Sequence, residues 1–235
     1  MNSSLAIEIR TASPVPWPMP RAVLFDLDGT LIDSVPDITL SVNELLTSEQ
    51  LPPLEEAQVR RMVGHGIRAL VRKIYHAQGI ALDVASLDCR TDAMLEIYPR
   101  HLTGRTTLMP GVREMAAFFV ANGARLALVT NKPESAARTI LSHFGLSDSF
   151  TVVIGDGDHQ LARKPQPDML LAALTRLGVA AADAIMVGDS AVDIAAARAA
   201  RVRSVVVRCG YPAGALDAAD ILVTDPGAIP ALFSA

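Results

Sequence analysis

Four short segments of this chain gather acidic, cationic and hydroxyl side chains, three of them directly after apolar runs. The first is Asp26-Leu27-Asp28-Gly29-Thr30 and the second Thr130-Asn131-Lys132; the third is Arg163-Lys164-Pro165, and the fourth Gly188-Asp189-Ser190 followed by Asp193. If the chain brings them together, Asp26, Asp28, Asp189 and Asp193 crowd negative charge into one place. Carboxylates at contact distance repel or raise each other's pKa unless a cation stands between them. The donors are all hard oxygens, with no histidine or cysteine cluster, so the cation they suit is Mg2+ rather than zinc or copper. Lys164 adds a fixed positive charge and Thr130 a hydroxyl that can donate to an anionic oxygen. A dianion such as a phosphoryl group fits this lining, and a carboxylate can itself attack phosphorus. Each residue also has an ordinary reading: Asp193 as a favourable charge in a helix's first turn, Thr130 as a helix cap, Lys164 as a surface lysine.

The elements that must hold these residues follow from hydrophobic spacing. Apolar runs at 22–25, 125–130, 151–154, 184–187 and 204–207 read as strands, and 112–122, 133–144, 167–177 and 191–200 as helices between them. Such alternation predicts right-handed crossovers and an α/β fold, a Rossmann-like doubly wound parallel sheet with helices on both faces. All four chemical segments then lie at the carboxyl ends of strands, where such sheets bind ligands. Residues 35–105 break the rhythm: ITLSVNELL and IRALVRKIY place apolar residues three and four apart. This stretch reads as a helical insertion after the first strand. The expected organisation is an extended lead-in over 1–20, a core of 21–34 with 106–235, and a helical cap over 35–105. Ile221–Val223 is expected as an edge strand with a short helix from Gly227, and Trp17 as an anchor for the lead-in.

Composition narrows the function classes. The chain has 235 residues, half of them hydrophobic and a fifth charged, with a net charge of -4. That is enough for one large domain with an insertion, and the acidic balance argues against nucleic-acid binding. No apolar stretch approaches the roughly 18 residues a membrane helix requires, so no membrane partner is expected. Cys89 and Cys209 stand far apart and suggest neither a disulfide framework nor a zinc site, which fits a cytoplasmic protein. His65, His76, His101, His143 and His159 show no metal spacing.

In order and spacing the four segments resemble the motifs of the haloacid dehalogenase superfamily, a likeness that covers nearly everything from Arg21 onward. The resemblance implies a core domain of that superfamily with Asp26 as nucleophile and Asp28 as general acid and base. It implies Thr130 and Lys164 as phosphate-stabilising residues. Asp189, Asp26 and the main-chain carbonyl of Asp28 would be the Mg2+ ligands, with Asp193 supporting the metal site or orienting Lys164. An acid at position 28 argues against dehalogenation, and Thr30 is typical of the phosphatases rather than the mutases. The run FDLDGTLIDSVPDI with TNKP looks most like the bacterial phosphoglycolate phosphatases, which implies a phosphomonoesterase acting on a small phosphorylated metabolite. Sugar-phosphate or pyrophosphate hydrolysis, phosphomutase activity and a non-catalytic phospholigand sensor are the alternatives. In the cap, Gly64-His65-Gly66 and Arg68 are the expected substrate contacts, with Asn131 in the core: glycines opening a helix offer N–H groups to a carboxylate, and Arg68 adds charge. A monomer or homodimer is expected.

Overall fold

The computed structural model describes residues 7–9, 16–157, 160–208, 216 and 218–233. Cys209 and His159 lie outside the described residues; Cys89 is a free, exposed thiol. In chain order the strands are β1 (Ile7–Ile9), β2 (Ala22–Phe25), β3 (Ile32–Asp33), β4 (Thr107–Leu108), β5 (Arg125–Pro133), β6 (Phe150–Asp156), β7 (Ala184–Gly188), β8 (Arg203–Val207) and β9 (Ile221–Val223). The helices are α1 (Val35–Ser48), α2 (Glu56–Arg60), α3 (Ile67–Ala77), α4 (Val84–Ile97), α5 (Val112–Ala121), α6 (Glu134–His143), α7 (Asp168–Leu177) and α8 (Ala191–Ala199).

The main sheet runs β1-β9-β8-β7-β2-β5-β6. Its last six strands are mutually parallel, as the alternation predicts. Successive side chains of a strand point to opposite faces, and here they feed two cores. Val23, Phe25, Leu126, Leu128, Ile185 and Val187 pack with α5 and α6 on one side. Ala22, Leu24, Ala127, Val129, Ala184 and Met186 pack with α7 and α8 on the other. Strands covered on both faces can be wholly apolar, which explains their uninterrupted runs.

Two expectations are corrected. Ile221–Val223 is not the sheet's edge, because β1, inside the stretch read as a lead-in, pairs antiparallel with it. An open edge presents unpaired N–H and C=O groups, and the extended amino-terminal chain satisfies them. Nor does β5 stop at Thr130: it continues to Pro133, and α6 starts at Glu134. The residue before a proline is pushed from helical to extended backbone, so Pro133 keeps Lys132 extended. Trp17 is buried against Phe233, to which it is bridged, with the Arg203 guanidinium 4.4 Å from its ring centre.

Helices α1 to α4 form the insertion, and no strand interrupts them. Its two connections are tied in two ways. β3 pairs antiparallel with β4. Buried Asp37, in the first turn of α1, accepts from the backbone N–H groups of Arg105 and Thr106 and from the Thr106 hydroxyl, at 2.8–3.0 Å. The charge of Asp37 is thus satisfied wholly by the chain leaving the insertion.

Candidate active site

Strand register assembles the site. Phe25 lies opposite Leu128 of β5 and Val187 of β7. The next residues of three strands, Asp26, Val129-Thr130 and Gly188-Asp189, therefore share one edge. The Asp26 N–H donates to the Val187 carbonyl at 2.9 Å, which carries sheet pairing one residue past β2.

Lys164 joins two of the carboxylates. Its ammonium lies 2.7 Å from Asp26 Oδ1 and 2.7 Å from Asp193 Oδ1. All three side chains are buried. Burial alone would lower the lysine's pKa, but Asp193 and Asp26 overcome it and hold it above the usual lysine value. Asp193 turns its other oxygen to the start of α8, accepting from the Ser190 hydroxyl at 2.7 Å and from the Ser190 and Asp189 N–H groups at 3.1 and 3.2 Å. Asp193 is thus buried rather than the solvated first-turn carboxylate of its ordinary reading, one oxygen on Lys164 and the other on the start of α8. Gly188 makes the approach possible: a Cβ there would lie 2.4 Å from the Asp193 Cβ.

Burial pushes the Asp26 carboxyl up to about 6, against the pull of Lys164 and with help from the charges of Asp193 and Asp28. Asp189 is also raised, by burial and then by Asp193 and Asp26. Oxygens of Asp26, Asp189 and Asp193 lie within 4.8 Å of one another. Buried carboxylates raised by desolvation and mutual repulsion are what an oxygen-seeking dication relieves, so the donor set fits Mg2+. A cation there would be held by oxygens drawn from Asp26, Asp189 and Asp193, of which Asp193 is also bonded through both oxygens to Lys164 and the start of α8.

Asp28 has different partners. Lys132 approaches its two oxygens at 2.7 and 3.0 Å, and the Ser34 hydroxyl donates to Oδ1. The Lys132 ammonium also sits 5.0 Å from the centre of the Tyr98 ring. Burial opposes its charge, but Asp28 and Tyr98 raise its pKa. Lys132 was visible in the Thr-Asn-Lys-Pro run, yet sequence alone gave it no role. Extended backbone through Pro133 is what delivers it to the site.

Thr130, Asn131 and Lys132 line a pocket of about 490 Å³, partly open to solvent, between the sheet edge and the insertion. Asp26 and Asp28 lie on one side; Gly64, Gly66 and Ile67 lie on the other. The Asn131 amide donates to the Lys164 carbonyl at 3.0 Å and to the Gly64 carbonyl at 3.2 Å, joining two chemical segments to the insertion. Gly66, at φ 83°, presses so close that a Cβ would lie 3.2 Å from the Asn131 carbonyl. Two expected substrate contacts are placed elsewhere. Arg68 does not line the pocket; its guanidinium pairs with Asp88 of α4 at 2.7 and 2.9 Å. Helix geometry explains this, since residues one turn apart share a face and Arg68 does not share that of Ile67 and Leu70, which do line the pocket. His65 also lies outside the lining, its pKa lowered by partial desolvation of the ring and by the charge of Lys73.

Paired acids, a hydroxyl and a further acid at parallel strand ends, joined by a lysine from the loop after β6, make a lining that suits a phosphoryl group. The sequence profile of the Haloacid dehalogenase-like hydrolase family matches residues 23–207. A "Phosphoglycolate phosphatase" of Rhodospirillum rubrum is 43% identical over 198 residues, covering 82% of this chain and 81% of that one. One of the same name from Xanthomonas campestris pv. campestris is 41% identical over 211 residues, covering 88% and 93%. The crystal structure of a predicted phosphoglycolate phosphatase from Haemophilus somnus superposes with a TM-score of 0.81 at 29% identity, covering 90% of this chain and 96% of the other. The chain belongs to the haloacid dehalogenase-like hydrolases. Within them it stands with the phosphomonoester hydrolases.

Proposed function

We propose that the chain is an Mg2+-dependent phosphatase that hydrolyses 2-phosphoglycolate through an aspartyl-phosphate on Asp26, with residues 35–105 acting as its cap. The observation that carries the reading is the buried Asp26 carboxylate, held by Lys164 at 2.7 Å beside Asp189 on the floor of a small pocket. In the first step an Asp26 oxygen attacks phosphorus, the bond from phosphorus to the glycolate oxygen breaks, and Asp28 gives its proton to the leaving oxygen. In the second, Asp28 takes a proton from water as that water attacks phosphorus, and the bond to Asp26 breaks to release orthophosphate. Lys164 and Thr130 face the charge that builds on the phosphoryl oxygens. A bound Mg2+ would supply further neutralisation of those oxygens from Asp26, Asp189 and the Asp28 carbonyl.

Unaided phosphomonoester hydrolysis is among the slowest reactions enzymes accelerate, by up to about 10^21-fold. A site that excludes water therefore matters, and the seating of Gly64 and Gly66 on Asn131 supports a closing role for the cap. The test is a panel of phosphomonoesters assayed with Mg2+ and with chelator, with 32P-labelled substrate and acid quench. The expected result is Mg2+-dependent release of phosphate, fastest from 2-phosphoglycolate, and label on the peptide that holds Asp26. Turnover by Asp26→Asn at the parental rate would refute the mechanism.

A further inference from the structure

Beyond the acids on its floor, the pocket is walled by apolar side chains, among them Ile38, Val63, Ile67, Leu70 and Met94. Among the described residues, Lys132 is the one cation that lines it. Its side chain is only 2% exposed, fixed between Asp28 and the Tyr98 ring. Arg68, the cation that sequence spacing nominated for the substrate, is turned to Asp88 instead.

We propose that Lys132 is the specificity-determining residue of the pocket, the group that selects phosphomonoesters whose other end carries a carboxylate. This rests on the phosphatase reading above and deepens it. A short ester with its phosphorus at Asp26 must extend its other end among those apolar walls. A carboxylate placed there loses its hydration and faces the like charge of Asp26, a penalty of several kcal/mol unless a cation meets it. Lys132 supplies that cation in place, with its ordering cost already met by Asp28 and Tyr98. An ammonium has three N–H groups: the contacts to Asp28 engage at most two, and the remaining one, on the side of the Tyr98 hydroxyl, is the one a substrate carboxylate would take over. A neutral end gains much less from the same contact, because charge-assisted hydrogen bonds are roughly twice as strong as neutral ones.

The test compares kcat/KM for 2-phosphoglycolate with that for 2-hydroxyethyl phosphate, in which an alcohol replaces the carboxylate at the same chain length. Wild type, Lys132→Met, Lys132→Arg and Arg68→Ala are measured, each checked for folding by thermal melt. Lys132→Met loses rate on both substrates through Asp28, so the readout is the ratio. The expected result is a fall of about 10- to 100-fold in the acid-to-alcohol ratio in Lys132→Met, the worth of one charged hydrogen bond, and recovery of most of it in Lys132→Arg. Equal losses on both substrates would reduce Lys132 to a prop for Asp28 and overturn the proposal. So would collapse of the ratio in Arg68→Ala with Lys132→Met unchanged. If Lys132→Met does not fold, a folded Lys132→Arg that hydrolyses the alcohol but no longer prefers the acid overturns it, and one that keeps the preference upholds it. A wild type that hydrolyses p-nitrophenyl phosphate yet does not prefer the acid overturns this inference and leaves the phosphatase chemistry standing. A wild type inert toward every phosphomonoester overturns both.

Discussion

Lys164 is the residue on which the site's charge balance turns, since one ammonium faces two buried carboxylates at 2.7 Å each. Truncating it leaves Asp26 and Asp193 as unpaired charges in a desolvated place. Breaking a buried pair from one side costs about 3–5 kcal/mol, well above the ~0–1 kcal/mol of an exposed one. Lys164→Met should therefore lower unfolding free energy by about that amount in metal-free buffer, read from urea titration, as well as abolishing turnover. Arg68→Ala is the internal comparison: its partner Asp88 is half exposed, and the loss should be below about 1 kcal/mol. Similar losses in the two variants would mean that Asp26 and Asp193 are not charged together in the folded protein.

At the scale of elements, the placing of Asp193 against Lys164 rests on how closely β7 approaches α8. Gly188 ends β7 with Asp193, from the first turn of α8, packed directly over it. A methyl group there meets Asp193 carbon at 2.4 Å, closer than atoms tolerate. Gly188→Ala should push α8 away and pull Asp193 off Lys164, so kcat should fall at least tenfold while the far sheet edge at β6 keeps its hydrogen-exchange protection. A variant with parental kcat would show that Lys164 does not need Asp193. The glycine's role was legible in the sequence only as part of Gly-Asp-Ser, because the feature that requires it is a contact between elements. The strands were legible for the opposite reason: runs such as Leu126–Val129 are covered on both faces, and burial writes itself into composition. That Asp26, Asp28, Thr130 and Asp189 would come together was legible because strand ends in a parallel sheet share one edge; Lys164 reaches them from the loop after β6. Lys132 and Arg68 were not legible, since their roles depend on which way each side chain turns. Pro133 extends the backbone under Lys132, and Asp88 on a neighbouring helix captures Arg68. β1 was missed because three residues pairing with a distant strand carry no periodic signal.

For the whole molecule, the acids at the sheet edge tie folding to pH, and a cation bound there would share in the same free energy. Asp26 has a carboxyl pushed up to about 6 in the fold, against 3.8 when unburied. Between those values the folded chain binds more protons than the unfolded one. The stability this group contributes is therefore complete below about pH 4 and is lost as pH rises through about 6. Two pKa units correspond to about 3 kcal/mol, and Asp189 is shifted in the same direction. Metal-free protein should accordingly carry an increasing penalty between pH 4 and 7 that Asp26→Asn does not share. In that variant Lys164 keeps Asp193 as its partner, so little new cost arises. The expected outcome in chelator is a gap in unfolding free energy that widens with pH in favour of Asp26→Asn, reaching about 3 kcal/mol near neutrality. Mg2+ at 100 times its dissociation constant should add about 2.7 kcal/mol to the wild type and less to the variant, narrowing the gap. Denaturant melts at four pH values, with and without Mg2+, give both quantities. A gap that stays flat with pH would mean Asp26 is ionised as readily in the fold as in water, and burial would then not be what readies this edge for a cation.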